Sequence, residues 1–296
     1  MYALATPSIG RMKSDREQDG LHGPVRSLRL ELDRVSKVAG LFAVKRVLVR
    51  FACYDADGRK IEEVNYNSGG SEEQRELYSY DEAGRKLERI LRCGSTIVKT
   101  TYSYAGNRIQ ALEHVKLGNR TSTREYGYVV DERGYQTEAS YCDESFGEVK
   151  AFYDYSHDEG GRLATVTTRN AGGVVYHKLL YSYDANGKMA TETAYGPDGT
   201  VYKRAIYRAG GRIKEECTHE ADRSLRVKLV FTLDDNGSIV EVNSYNEAGE
   251  LNSLKTVRSY KYDLFGNWIK ETISSVDVAT SKPAATWINY RLLVYQ

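Results

Sequence analysis

The chain contains no apolar run near the roughly 18 residues of a membrane-spanning helix, so no helical membrane span is expected. An excess of one charge is also missing. Lys and Arg number 42 against 41 Asp and Glu, a net charge of +1, which leaves no basic footprint for nucleic acid. Residues 1–51 are richer in Lys and Arg, but these are scattered through strand-like text such as Leu28-Arg-Leu-Glu-Leu32 and read as solvated positions. Cysteine is scarce: Cys53, Cys93, Cys142 and Cys217 form no Cys-x-x-Cys pair, which removes the zinc-ribbon and redox signatures. Three repeat periods separate Cys142 from Cys217, too far in a flat sheet for a disulfide, and free thiols are expected.

Catalytic and metal signatures are absent as well. The five histidines (His22, His114, His157, His177, His219) show no metal spacing, and no Ser sits in a Gly-x-Ser-x-Gly elbow. Asp55-Ala-Asp57-Gly58 begins like a calcium loop, but its twelfth position is Tyr66 where a bidentate Glu is required. Acidic pairs such as Glu62/Glu63 and Glu215/Glu216 are too evenly spread to single out two glycosidase carboxylates. The expectation is a chain that is not an enzyme, with no metal and no cofactor.

What the chain does have is a repeated turn. Nine turns end in Gly58, Gly84, Asn107, Gly134, Gly161, Gly187, Gly211, Gly237 and Gly266, a mean period of 26 residues. Seven carry Asp three positions earlier: Asp55, Asp81, Asp131, Asp158, Asp184, Asp234 and Asp263. Asp at the first position of a type I turn accepts a backbone N–H, and Gly at the fourth tolerates positive φ. The departures are Arg208 and the shortened Tyr104-Ala105-Gly106-Asn107. A second punctuation, Tyr-x-x-x-Gly, falls 12 residues past the turn glycine, as in Tyr66 to Gly70, Tyr195 to Gly199 and Tyr245 to Gly249. Each period is therefore two strands and two turns.

Six Tyr-x-Tyr pairs precede the turns: Tyr78/Tyr80, Tyr102/Tyr104, Tyr126/Tyr128, Tyr153/Tyr155, Tyr181/Tyr183 and Tyr260/Tyr262. Period two places each pair on one face of a strand. Runs of eight or nine residues rich in Thr, Val, Ile and Tyr, broken every 12 to 14 residues, predict an antiparallel meander and not helices.

Tyr78-Ser-Tyr-Asp-Glu-Ala-Gly-Arg85 and Tyr181-Ser-Tyr-Asp-Ala-Asn-Gly-Lys188 closely resemble the YD repeat of the RHS (rearrangement hotspot) family, over about residues 44–273. Val130, His157 and Leu233 replace the Tyr before Asp in three units. The resemblance implies β-hairpin strips that coil into shells, with carbohydrate binding or the enclosure of toxins as associated roles.

The expected fold is all-β: an antiparallel β-hairpin repeat meander of about 18 strands plus end strands, curled into an elongated, coiled sheet or partial shell with two free edges. Those edges invite end-to-end pairing between copies. Residues 1–24 read as a loose non-repeat leader and 25–296 as a single repeat domain, with a Pro-containing loop over 274–286 and a capping strand over 287–295. Residues 1–24 do not form a signal peptide as written, and an exported or cell-surface protein is expected if a leader precedes Met1.

Two functions fit. The first is a non-enzymatic scaffold or binding module for carbohydrate or protein at the bacterial cell envelope, with Tyr78, Tyr80, Tyr126, Tyr128, Tyr153, Tyr155, Tyr181 and Tyr183 as candidate ligand-binding residues. Tyrosine rings offer flat amphipathic faces to sugars or proteins. The alternative is a short shell component of a polymorphic toxin system, against which stands the lack of an Asp-Pro-x-Gly-Leu boundary. No nucleic-acid partner and no membrane span are expected.

Overall fold

The computed structural model describes residues 14–38, 41–132, 136–143, 147–208, 211–219 and 224–296. A four-residue helix, α1 (Asp15–Gln18), precedes twenty strands. The first ten are β1 (Val25–Val38), β2 (Leu41–Tyr54), β3 (Lys60–Tyr66), β4 (Glu72–Tyr80), β5 (Lys86–Cys93), β6 (Thr96–Ala105), β7 (Arg108–Leu117), β8 (Arg120–Val130), β9 (Gln136–Asp143) and β10 (Gly147–His157). There follow β11 (Leu163–Asn170), β12 (Val175–Tyr183), β13 (Met189–Tyr195), β14 (Val201–Arg208), β15 (Ile213–His219) and β16 (Leu225–Leu233). The chain ends with β17 (Ile239–Tyr245), β18 (Leu254–Tyr262), β19 (Trp268–Asp277) and β20 (Pro283–Tyr295).

The contacts divide the chain, expected as one repeat domain, into two compact units. One comprises 1–150, 260–271 and 287–296; the other comprises 151–259 and 272–286. Within the first, β1 to β9 run antiparallel, each hydrogen-bonded to the next. The second repeats this pattern from β10 to β18. The antiparallel meander is thus present.

The expected open, coiled sheet is corrected by the pairing of its ends. β1 is antiparallel to β20, with Leu28 opposite Leu293 and Leu32 opposite Asn289. Pairing first strand to last satisfies the N–H and C=O groups that free edges would expose, so end-to-end association through those edges loses its basis. The loop expected over 274–286 is also mostly strand: β19 runs to Asp277 and β20 starts at Pro283, joined by a turn in which the Asp277 carboxylate accepts from Thr280 N at 2.7 Å. The segment 283–286 extends the capping strand.

The Asp-x-x-Gly turn forms as its chemistry requires. Gly58 donates to Asp55 O at 3.0 Å, the Asp55 carboxylate accepts from Arg59 N at 2.9 Å, and Gly58 has φ +81°. The same bonds recur at Asp81/Gly84, Asp158/Gly161, Asp184/Gly187, Asp234/Gly237 and Asp263/Gly266. Gly134 lies outside the described residues. Strand register shifts beside most of these turns, as at Ser79/Tyr80 and Ser182/Tyr183, because the left-handed glycine adds one residue to the hairpin as a bulge. The second punctuation uses the same device with Asn at the first position: Asn67 Oδ1 accepts from Ser71 N and Asn246 Oδ1 from Glu250 N.

Three successive hairpins differ. β5 to β8 are joined by the two-residue loops Gly94-Ser95, Gly106-Asn107 and Gly118-Asn119, with positive φ at each glycine and no register shift. This is the type II′ pattern, so the left-handed residue of the shortened turn is Gly106 and not Asn107.

Residues 14–24, expected to be loose, are packed. Ser14 and Glu17 close a capping box around α1, Leu21 is 1% exposed against Val25, Leu28, Ala52 and Tyr54, and Asn267 brackets the His22 backbone by accepting from its N at 2.7 Å and donating to its O at 2.9 Å.

At Gly237 (φ +77°) an added Cβ would meet nothing within 4 Å, so substitution there isolates backbone strain. Gly237→Ala is expected to lower stability by about 1–2 kcal/mol, the cost of a left-handed non-glycine residue, measured by urea denaturation.

Candidate binding surfaces

The paired registers give each hairpin two faces. The face that carries the Tyr-x-Tyr pairs also holds Ala111, Ala139, Ala151, Val166, Leu179, Ala194 and Ala205, all buried. It is not purely apolar. In the first unit Tyr78, Arg89, Thr100, Glu113 and Arg124 form one cross-strand row. Arg89 pairs with Glu76 at 2.6 Å and Arg124 with Glu113 at 3.2 Å. Burial alone would raise Glu76, but its bonds from Arg89 and Tyr78 outweigh that and hold it below the usual carboxylate range. In the second unit Glu216 takes Lys203 at 3.1 Å and Lys214 at 3.0 Å, with the same net direction.

The candidate tyrosines are largely engaged. Tyr80 donates its hydroxyl to Lys60 O and to Asp15, each at 2.7 Å. Tyr183 donates to Leu163 O at 2.8 Å, and Tyr104, outside the candidate set, does the same to Lys86 O at 2.7 Å. All three acceptors lie two residues past the preceding turn glycine. The Arg that follows that glycine stacks on the same ring: Arg59 lies 5.7 Å from the Tyr80 centroid, Arg85 4.6 Å from Tyr104 and Arg162 4.6 Å from Tyr183. Each of these arginines also forks to its turn aspartate, Asp55, Asp81 or Asp158. The recurrent Tyr, Asp, Gly and Arg are thus one linked assembly that ties each hairpin to its predecessor.

The other tyrosines serve the sheet in other ways. Tyr78 donates to Glu76 at 2.5 Å and carries Lys86 over its ring at 4.6 Å. Tyr153 is 5% exposed, and burial raises its pKa. Tyr181 is pushed up to about 12, chiefly by burial and then by Glu192. Tyr126 packs on Tyr141 with centroids 5.2 Å apart. Tyr128 and Tyr155 are half-buried in the same rows.

A depression of about 460 Å³ opens in the first unit. Two cross-strand rows of the opposite face line it, Ser103, Gln110, Gly127 and Ser140, then Thr101, Leu112, Glu125 and Cys142, together with Tyr102, Ala111 and Tyr126 of the tyrosine face. The central residues of the six Tyr-x-Tyr pairs are Ser79, Ser103, Gly127, Asp154, Ser182 and Lys261, and of these Gly127 alone has no side chain. A Cβ at Gly127 would stand 2.4 Å from Ser140 Oγ. Sequence reading passed over this position because its signal is one glycine inside a strand.

A second polar cluster surrounds Arg50. Its guanidinium meets Asp19 at 2.8 Å and Glu63 at 2.9 Å, Lys60 reaches Asp19 at 3.0 Å and Glu63 at 2.6 Å, and Tyr54 donates to Asp19. Burial would raise both carboxyls, but bonds from Tyr54, Arg50 and Lys60 to Asp19, and from Arg50 and Lys60 to Glu63, hold them below the usual range. Arg291 stands nearby over the Trp268 ring at 3.8 Å, lowered to about 10 by burial and by repulsion from Arg50. Among the described residues no group of three or more His, Cys, Asp or Glu could hold a metal ion, and the four cysteines are unbridged.

No helix among the described residues is long and apolar enough to cross a membrane. Neither face of β3 to β8 is apolar, since Arg75–Glu62 and Lys99–Glu88 pairs occupy the face opposite the tyrosines. A charged residue facing lipid at mid-bilayer costs about 2–4 kcal/mol.

No family model matches the chain, and no curated protein matches it. Among solved structures it is similar to a porin-like protein from Bacteroides uniformis at 11% identity, covering 92% of this chain and 98% of that one, with a TM-score of 0.37. A porin-like protein from Bacteroides vulgatus gives the same identity and coverages with a TM-score of 0.25. A structure described as TcdB2-TccC3-TEV is 12% identical, covering 83% of this chain and 16% of that one, with a TM-score of 0.26.

Two measurements check these assignments. Tyr183→Phe removes the bond to Leu163 O and is expected to lower stability by about 1 kcal/mol, read by chemical denaturation. Because Asp19 and Glu63 are held below their unfolded values, the stability they contribute is full above the ordinary carboxylate pKa near 4 and is lost as pH falls through the folded values. Asp19→Asn should flatten that acid limb in a pH series of thermal melts.

Proposed function

We propose that this protein is a non-enzymatic binding module of the RHS/YD-repeat type, and that it takes a polar, hydroxyl-rich ligand of the carbohydrate class in the depression at Gly127. The observation that carries this reading is the depression itself. At Gly127 the strand brings no side chain of its own, the Ser140 hydroxyl stands where a Cβ would, and the depression opens between Ser103, Gln110, Glu125 and Ser140. A volume of about 460 Å³ lies in the range of small-ligand sites. The lining suits a sugar: hydroxyls can donate or accept, the Gln110 amide does both, and the Glu125 carboxylate accepts. An apolar ligand would leave these groups unpaired.

The tyrosine rows support a scaffold role in the same reading. Rings whose hydroxyls bond backbone carbonyls and whose faces carry arginines are committed to holding adjacent hairpins together. They rigidify the strands that border the depression, and a preorganised site loses less entropy on binding.

A glycan array probed with the full chain, followed by calorimetry on any hit, tests the proposal. Gly127→Thr keeps strand propensity and pushes the Ser140 hydroxyl aside into the depression; it is expected to weaken binding at least tenfold in a chain that still melts cooperatively. Failure to bind any glycan, or unchanged affinity in Gly127→Thr, would overturn it.

A further inference from the structure

Residues 14–22 lie on the sheet without joining its ladder. α1 buries no residue, and the segment is held at separate points. The Asp15 carboxylate accepts from Lys60 N at 2.9 Å and Tyr80 OH at 2.7 Å. Asp19, one helical turn on, is gripped by Arg50, Lys60 and Tyr54. Leu21 fills an apolar socket, and Asn267 clamps the backbone of His22. Gly20 (φ +67°) and Gly23 (φ +73°) flank this anchor before Pro24. Two carboxylates, a leucine and a clamped peptide bond are what a receptor reads in an acidic peptide.

We propose that Arg50, Lys60, Tyr54 and Tyr80, with the Leu21 socket and Asn267, form a docking groove for an acidic protein segment patterned Asp-x-x-x-Asp-x-Leu. Residues 14–22 are its tethered, displaceable occupant. The argument rests on charge. Without Asp19, Arg50 and Lys60 share only Glu63, Arg291 stands close by, and the Tyr54 hydroxyl loses its acceptor. An empty groove is therefore strongly disfavoured. Exchange for another acidic segment restores the same bonds and is nearly neutral, so the groove favours replacement over vacancy. A short tether holds the built-in segment at about millimolar effective concentration. A partner segment at micromolar concentration must therefore bind about a thousandfold more tightly than the resident sequence to displace it. This inference is independent of the ligand reading at Gly127, which lies on other strands.

The test uses the full chain and a fluorescent synthetic peptide spanning 14–24. D15N/D19N weakens the resident segment and leaves the groove intact. The peptide is expected to bind D15N/D19N at least tenfold more tightly than the unsubstituted chain, and to lose at least tenfold when Arg50→Gln is added. A peptide carrying Asn at the position of Asp19 should lose as much. Equal binding to both chains, absence of binding to a folded D15N/D19N, or indifference to Arg50→Gln would overturn the proposal. Should D15N/D19N fail to fold, hydrogen exchange on the unsubstituted chain decides. Amides of Asp19 and Leu21 exchanging at least a hundredfold faster than those of Leu28 and Ala52 support a displaceable occupant. Equal rates make the segment part of the core and overturn the groove.

Discussion

The structure depends on the bond between hairpins that the tyrosine hydroxyl makes to a backbone carbonyl just beyond the preceding turn. A hairpin by itself is marginal in water, and a long meander with small residues on its buried face gains little from apolar packing. Ala111, Ala139, Ala151, Ala194 and Ala205 bury few methylene groups. Tyr80, Tyr104 and Tyr183 supply what that face lacks: ring area, a hydrogen bond to Lys60, Lys86 or Leu163, and a seat for the arginine of the preceding turn. The motif repeats because the joint between hairpins repeats.

The same device explains why the tyrosine face is charged yet stable. Ring burial leaves room for long side chains only where they meet opposite charge, and the rows place Glu76 beside Arg89, Glu113 beside Arg124, and Glu216 between Lys203 and Lys214. These partly buried pairs set register more than they add stability. A one-residue slip would bring the tyrosines to the opposite face and leave these carboxylates without their cations. With its own groups matched in this way, the face offers little to a ligand.

Much of the chain was legible in its sequence because turn chemistry is local. Asp at the first position and Gly at the fourth specify hydrogen bonds within five residues, so the turns at Asp55, Asp81, Asp158, Asp184, Asp234 and Asp263, and the alternation of strands between them, follow from the text. The loop expected over 274–286 failed for an equally local reason. Pro283 reads as a strand breaker, yet it occupies the first position of β20, where the missing N–H is tolerated. Of the candidate tyrosines, period two gave their shared face. It said nothing of the carbonyls that Tyr80 and Tyr183 bond, since Lys60 and Leu163 lie 20 residues away.

By itself, then, the sequence determined the meander, its period and the facing of its tyrosines, because a turn and a pleat are short-range objects. Only the tertiary structure decided that β1 finds β20, that Leu21 drops into a socket between strands, and that Asp19 meets Arg50 and Lys60. Pairing of the first strand with the last depends on the summed twist and register of the strands between them, and no pattern within a single period encodes that sum.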